Sequence, residues 1–150
     1  MRLLTIAILT LSLAGCLQRP GEEAEIFSLV RNNKATEVFR LLENGADPNT
    51  RNEQGNSLLH VAAGPKGGAE ITVVLLEAGA NPNIQNNKGQ LPLHIAAGWC
   101  TPQIVEMHIL AGADPYVLAN DGRSALDFVC SQPADRRQQV VAILREAMSR

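Results

Sequence analysis

An internal repeat with a period of 33 to 34 residues constrains this chain more than any other feature of its sequence. Residues 45–49 read Gly-Ala-Asp-Pro-Asn, residues 79–83 read Gly-Ala-Asn-Pro-Asn and residues 112–116 read Gly-Ala-Asp-Pro-Tyr. A second segment, Gly-Asn-Ser-Leu-Leu-His-Val-Ala-Ala at 55–63, recurs at 89–97 as Gly-Gln-Leu-Pro-Leu-His-Ile-Ala-Ala. Such a period indicates stacked supersecondary units, none of which can bury its apolar face alone.

Each unit predicts a short helix, a turn, a second helix and a glycine stop. In one second helix the apolar stripe is Ile71, Val74, Leu75 and Ala78. An Asp-Pro or Asn-Pro pair follows each stop and turns the chain into a projecting loop. The first unit lacks the Leu-His segment, and the last lacks the Gly-Ala stop and ends in a helix of about 134–148 with a polar outer face. The four predicted units are 24–54, 55–88, 89–121 and 122–150.

These motifs resemble the ankyrin-repeat family, whose repeat is 33 residues long and carries a Thr-Pro-Leu-His-like segment. The resemblance covers about 24–150 and implies an all-α solenoid of about four helix–turn–helix units with projecting β-turn loops. It also implies that the segment's Thr and His bond the helix start to adjacent backbone. Here Ser57 and Leu91 replace the Thr, and Asp127 replaces the last His, whereas His60 and His94 match it. The alternative for the two histidines is metal binding or acid–base chemistry, but no Cys or carboxylate cluster completes such a site.

The first fifteen residues predict an export signal. Arg2 precedes an apolar run at 3–13 that is shorter than the ~20 residues a membrane-spanning helix needs. The next residues, Leu-Ala-Gly-Cys at 13–16, resemble the lipobox of bacterial lipoproteins, in which the Cys is lipidated and becomes the mature N-terminus. The alternative is an ordinary secretory signal that happens to contain a Cys. Cys16 is therefore the expected lipid anchor, followed by a short tether over 16–23. In that family Asp after the Cys retains the protein in the inner membrane, so Leu17 implies the outer membrane, facing the periplasm.

Three features depart from the repeat pattern. His108 occupies the register position of Leu75, so it is either repacked locally or serves as a ligand contact or pH-sensitive group. Trp99 is the only tryptophan and lies in the turn beside the expected groove, where it either contacts a partner or folds back. Cys100 and Cys130 would meet an oxidising periplasm, but their expected Cα separation could exceed ~7 Å, so a disulfide and free thiols both stay open.

Composition and motifs exclude several classes of function. The net charge of −2, the pI near 5.9 and the presence of only five aromatic residues argue against nucleic-acid binding. The glycine-rich segment 64–68 lacks phosphate-loop spacing and predicts a turn, and no hydrolase or dinucleotide motif occurs. We therefore expect no catalytic activity, no cofactor and no bound metal.

The resemblance instead implies a rigid groove that binds one protein partner, with the chain itself a monomer. Among exported bacterial proteins of this family, it implies an immunity protein that inhibits a toxin, or an accessory to a periplasmic stress enzyme. The alternative is an envelope scaffold or assembly factor. The candidate groove residues lie in the loops and helix turns: Arg51, Glu53, Lys66, Gln85, Asn87, Trp99, Tyr116 and Leu118.

Overall fold

A computed structural model describes residues 21–66 and 68–150. Over these residues the chain forms seven α-helices and one short 3-10 helix. The signal peptide, Cys16 and tether residues 16–20 lie outside the described residues. None of the described helices is long and apolar enough to cross a membrane. The helices are α1 (Glu22–Arg31), α2 (Ala35–Glu43), α3 (Leu58–Ala62), α4 (Ala69–Glu77), α5 (Pro92–Gly98), α6 (Pro102–Leu110), the 3-10 helix (Ala125–Phe128) and α7 (Ala134–Ala147).

The helices stack in two layers, which confirms the predicted all-α repeat fold. The first helices of the units, α1, α3, α5 and the 3-10 helix, contact one another in chain order. The second helices, α2, α4, α6 and α7, do the same in the other layer. Two clusters of buried apolar side chains fill the space between the layers, one in the first two units and one in the last two together with Ala63 of the second unit. Each unit therefore completes its core against its neighbours.

The projecting loops are tight β-turns that repeat in register. The amide of Asn52 donates to the carbonyl of Asn56 at 3.0 Å, and the amide of Asn86 donates to the carbonyl of Gln90 at 2.9 Å. Gly55 and Gly89, the last residues of these turns, adopt positive φ angles of 73° and 71°. A side chain is strained in that conformation, which explains why the repeat carries Gly there.

Several predicted boundaries move. α1 begins at Glu22, so residues 22 and 23, which we assigned to the tether, are helical. Ala78, the last member of the predicted apolar stripe, caps α4 and is exposed, whereas Ile71 and Leu75 are fully buried. In the last unit the first helix shortens to a 3-10 turn because the chain becomes extended at Val129. α7 ends at Ala147, one residue before the expected limit.

Candidate binding groove

His60 joins the second unit to the third. Its Nδ1 accepts the Ser57 amide at 3.0 Å and lies 2.8 Å from the Ser57 hydroxyl. An atom that accepts a backbone N–H carries no proton, so the imidazole proton is on Nε2. Nε2 therefore donates to the carbonyl of Gln90, 2.8 Å away in the next loop. Burial lowers the pKa of His60 from 6.5 to about 4, which keeps the ring neutral.

His94 repeats half of this arrangement. Its Nδ1 accepts the Leu91 amide at 3.0 Å, and its ring stands edge-on to Phe128 with centroids 5.3 Å apart. The carbonyls of Val117 and Arg123 lie near the ring and oppose the fall in pKa that burial causes, but Nε2 makes no hydrogen bond to either of them. Both histidines thus cap helices, but only His60 also bonds to the backbone of the next loop, so His94 fulfils half of the role that the resemblance implied. Across the described residues no group of three or more His, Cys, Asp or Glu is placed to hold a metal ion.

In the last unit a carboxylate takes over the capping role. Oδ2 of Asp127 accepts the Ser124 amide at 2.8 Å and the Ser124 hydroxyl at 2.7 Å. These hydrogen bonds lower the pKa of Asp127, because they stabilise its charged form. Asp therefore replaces the acceptor function of the histidine, but it offers no donor to a following loop.

Side chains on the loops bond one loop to the next. The Arg51 guanidinium donates to the carbonyl of Gln85 at 2.9 Å and to that of Gly55 at 3.1 Å. The side-chain Nδ2 of Asn87 donates to the carbonyl of Glu53 at 3.0 Å. Arg51 and Asn87, which we predicted as partner contacts, are thus already engaged in holding the loops together. The side chains of Glu53 and Gln85 are exposed at the same edge.

A cavity of about 400 Å³ opens on the side of the first helices. Its wall on the loop side is formed by Asn52, Gln54 and Asn56, and its floor by His60, Val61 and Ile95. We call this cavity, with the turn residues described next, the groove.

Two of the predicted contact residues, Lys66 and Trp99, lie in the turns that form the outer wall of the groove. Trp99 is 54% exposed, so it does not fold back onto the core. Arg31, the last residue of α1, lies at the end of the groove but was not among the predicted contacts. The three loop residues, Val61 and Ile95 were not predicted either. Val61 and Ile95 occupy equivalent positions of α3 and α5, 34 residues apart, and this repeat spacing could have identified the two of them.

Tyr116 and Leu118 lie outside the groove lining, on the third loop. Both are more than half exposed, at 59% and 54%. The Tyr116 hydroxyl donates to the carbonyl of Met148, which fixes the ring against the end of α7. These two residues form a separate exposed surface at the C-terminal end of the stack.

His108 is repacked inside the stack, away from the groove. It is fully buried, and its Nδ1 donates to the carbonyl of Ile104, one turn earlier, at 2.7 Å. Its Nε2 has no partner in the described part of the chain, and burial lowers the pKa of the ring. Leu110, which stands where other units have Glu, is 76% exposed. In α6 the polar side chain of His108 is therefore buried and the apolar side chain of Leu110 is exposed, the reverse of the other units, and the helix stays packed in the stack.

The turn that carries Trp99 is tied to the last unit by a disulfide. The Sγ atoms of Cys100 and Cys130 are 2.00 Å apart, and their Cα atoms are 5.7 Å apart. This separation lies inside the range that a disulfide spans, although the repeat register suggested a longer one. The bridge closes because Cys130 lies two residues beyond the shortened 3-10 helix, where the chain is no longer helical.

Stacked helix pairs, tight loops in register and a groove across the first helices define the class of helical repeat proteins that bind other molecules on a concave face. A family model described as "Ankyrin repeats (many copies)" matches residues 41–96 and 75–129, which together exceed half of the chain. The chain belongs to the ankyrin-repeat family. A search of curated proteins finds no match. Ankyrin repeats typically mediate protein–protein interactions and are generally non-catalytic binding modules.

Proposed function

We propose that this chain is an envelope-anchored binding protein that holds one protein partner in the groove. The observation that carries the proposal is the exposed Trp99 beside a cavity of about 400 Å³, in a stack whose loops are hydrogen-bonded to one another. An exposed tryptophan next to a concave surface is typical of an interface anchor. The hydrogen bonds between loops limit the ordering entropy that docking would cost.

The anchor in this proposal is a lipid on Cys16, which would place the domain at the outer membrane, facing the periplasm. One acyl chain binds a membrane only marginally, so several chains are needed for stable attachment. We propose that the anchored domain inhibits an incoming toxin or assists a periplasmic stress enzyme. Labelled palmitate should appear in the full chain and be absent from Cys16→Ser, and Leu17→Asp should shift the protein to the inner membrane. A Cys16→Ser protein that stays labelled would contradict the anchor.

Affinity purification with mass spectrometry tests the groove. The full chain should recover one dominant partner, and Trp99→Ala should lose it. Phe39→Ala is the matched control, because Phe39 is a 47% exposed aromatic residue on α2, away from the groove. Equal recovery by both variants would contradict binding in the groove. Recovery of several resident envelope proteins, lost on substitution of Tyr116 and Leu118, would favour the scaffold alternative.

A further inference from the structure

The groove's lining contains positive charge and no negative charge. Arg31 and Lys66 are its only residues with a formal charge, since His60 is held neutral. Both cations are exposed, and neither makes an ion pair within the described ranges 21–66 and 68–150. A cation at the end of a helix also stabilises that helix, which accounts for Arg31. It does not account for Lys66, because α3 ends at Ala62 and α4 begins at Ala69.

The loop wall of the groove offers hydrogen-bond donors. Oδ1 of Asn52 accepts the amides of Gln54 and Asn56, both at 3.0 Å. Oδ1 of Asn56 accepts Nδ2 of Asn86 at 2.8 Å. The oxygens of Asn52 and Asn56 are thus engaged with the protein, and their NH₂ groups are the atoms left for an occupant.

Asn86 fixes the orientation of that wall. Its own Oδ1 accepts the amides of Lys88 and Gln90 at 2.9 and 3.0 Å, so its Nδ2 must be the donor to Asn56. The amide of Asn56 therefore cannot be turned round without losing this bond. The NH₂ group of Asn56 is left for an occupant because backbone amides fix the orientation of Asn86, which in turn fixes that of Asn56.

The remaining surface of the groove is apolar. Val61 and Ile95 are half-buried on the floor, and Trp99 presents an exposed indole at the edge. Burial of such surface by an aliphatic or aromatic side chain is favourable, whereas a small inorganic anion would leave it in water. The site therefore fits an occupant that combines negative charge with apolar side chains.

We propose that the groove takes an acidic segment of a protein partner, with its carboxylates at Arg31 and Lys66, its backbone carbonyls at the side-chain NH₂ groups of Asn52 and Asn56, and an apolar side chain against Trp99. This inference rests on the proposed function and specifies the chemistry of the partner. A nucleic acid fits less well, because the chain carries a net charge of −2 and two exposed cations neutralise few phosphates.

Peptide selection tests this chemistry without knowledge of the natural partner. The probe is an unbiased library of displayed random peptides, selected against the full chain. Selected peptides should be enriched in Asp and Glu together with Leu, Ile or Phe. Their binding should change the fluorescence of Trp99, the only tryptophan. Arg31→Gln with Lys66→Gln should weaken binding about tenfold and abolish its dependence on salt between about 0.05 M and 0.5 M NaCl.

The control variant removes two cations elsewhere. Lys88→Gln with Arg136→Gln makes the same change in net charge at exposed positions outside the groove, and it should leave the affinity unchanged. A failure to select peptides, selection of basic or uncharged peptides, equal effects of the two double variants, or equal competition by single-stranded DNA would each overturn the proposal.

The natural partner separates this inference from the proposed function. If its recovery is lost in Trp99→Ala but unchanged in Arg31→Gln with Lys66→Gln, the groove binds a partner and the acidic chemistry is wrong. If its recovery survives both changes, binding in the groove is itself wrong. Thermal unfolding of each variant should stay close to that of the unchanged protein, since all three side chains are exposed and Arg31→Gln removes only the weak stabilisation that a cation gives to the end of α1.

Discussion

The neutral, buried His60 should make the fold lose stability as soon as the pH falls below about 6.5, before most carboxylates titrate. Its pKa is 6.5 when the chain is unfolded and about 4 when it is folded. Between these values the unfolded chain binds more protons, so stability falls as the pH falls. Each pH unit is equivalent to about 1.4 kcal/mol for one proton. The protonation of His60 alone therefore lowers the free energy of unfolding by about 3 kcal/mol between neutral pH and pH 4.

Replacement of His60 by Gln isolates this contribution. At neutral pH, His60→Gln should lower the free energy of unfolding by about 1–3 kcal/mol, because the Ser57 amide and the Gln90 carbonyl lose buried partners. As the pH falls, the unchanged protein loses the stability described above and the variant does not. A gap of about 2 kcal/mol at neutral pH should close near pH 5 and reverse towards pH 4. His94 and His108 are present in both proteins, but their charges help to lower the pKa of His60, so the difference reports His60 together with its repulsion by these two rings.

Urea denaturation of the two proteins, followed by far-UV circular dichroism at several pH values between about 7.5 and 4, measures the gap. Asp127→Asn is the matched control, because Asp127 holds the equivalent capping position in the last unit. Its lowered pKa gives stability that is present above pH 3.8 and is lost below it. The gap for this control should stay constant from pH 7.5 to about 5. Parallel curves for His60→Gln and the unchanged protein would refute the reasoning.

Three further changes test the core, a loop and the disulfide. Leu75→Ala should cost about 2–5 kcal/mol in urea denaturation, because Leu75 is fully buried; a cost below 1 kcal/mol would contradict its packing. Gly89→Ala should lower the melting temperature more than Gly79→Ala does. Both glycines have positive φ angles, but of the two only Gly89 would place a Cβ against backbone, 2.8 Å from the amide nitrogen of Asn120. Equal melting temperatures would contradict this. Cys130→Ser should lower stability by about 3.6 kcal/mol in the chain-entropy account for a separation of 30 residues, and a reductant should then have no further effect.

The repeat register predicts the helices well because it fixes where each helix must begin and end. α7 was placed to within one residue at its end, and the capping roles of His60 and Asp127 follow from their positions in the repeat. Helix ends and capping residues depend on local backbone geometry, which residues at the same position of each repeat share. The register fails at Val129, where the last unit leaves the helical pattern, and that departure also brings Cys130 within reach of Cys100.

The groove was harder to predict, because contacts between units decide which side chains remain available. Arg51 and Trp99 were equal candidates for partner contacts in the sequence. In the structure the Arg51 guanidinium is hydrogen-bonded to the next loop, whereas the Trp99 indole is exposed. Arg31 was missed because it belongs to α1, in a unit that lacks the Leu-His segment. Its place in the groove depends on how α1 packs against α3, which no spacing in the sequence records.

The loop contacts make the groove a property of the stack and not of any single unit. His60 donates to the carbonyl of Gln90, the Arg51 guanidinium donates to the carbonyl of Gln85 in the same loop, and the side-chain NH₂ of Asn120 donates to the carbonyl of Asn87 at 3.1 Å. A change in one loop should therefore displace the next, although of the loop residues only Asn52, Gln54 and Asn56 line the groove. Because these bonds exist before binding, little of the binding free energy is spent on ordering the walls. Affinity should then depend chiefly on the groove's chemistry, its exposed indole and its two cations.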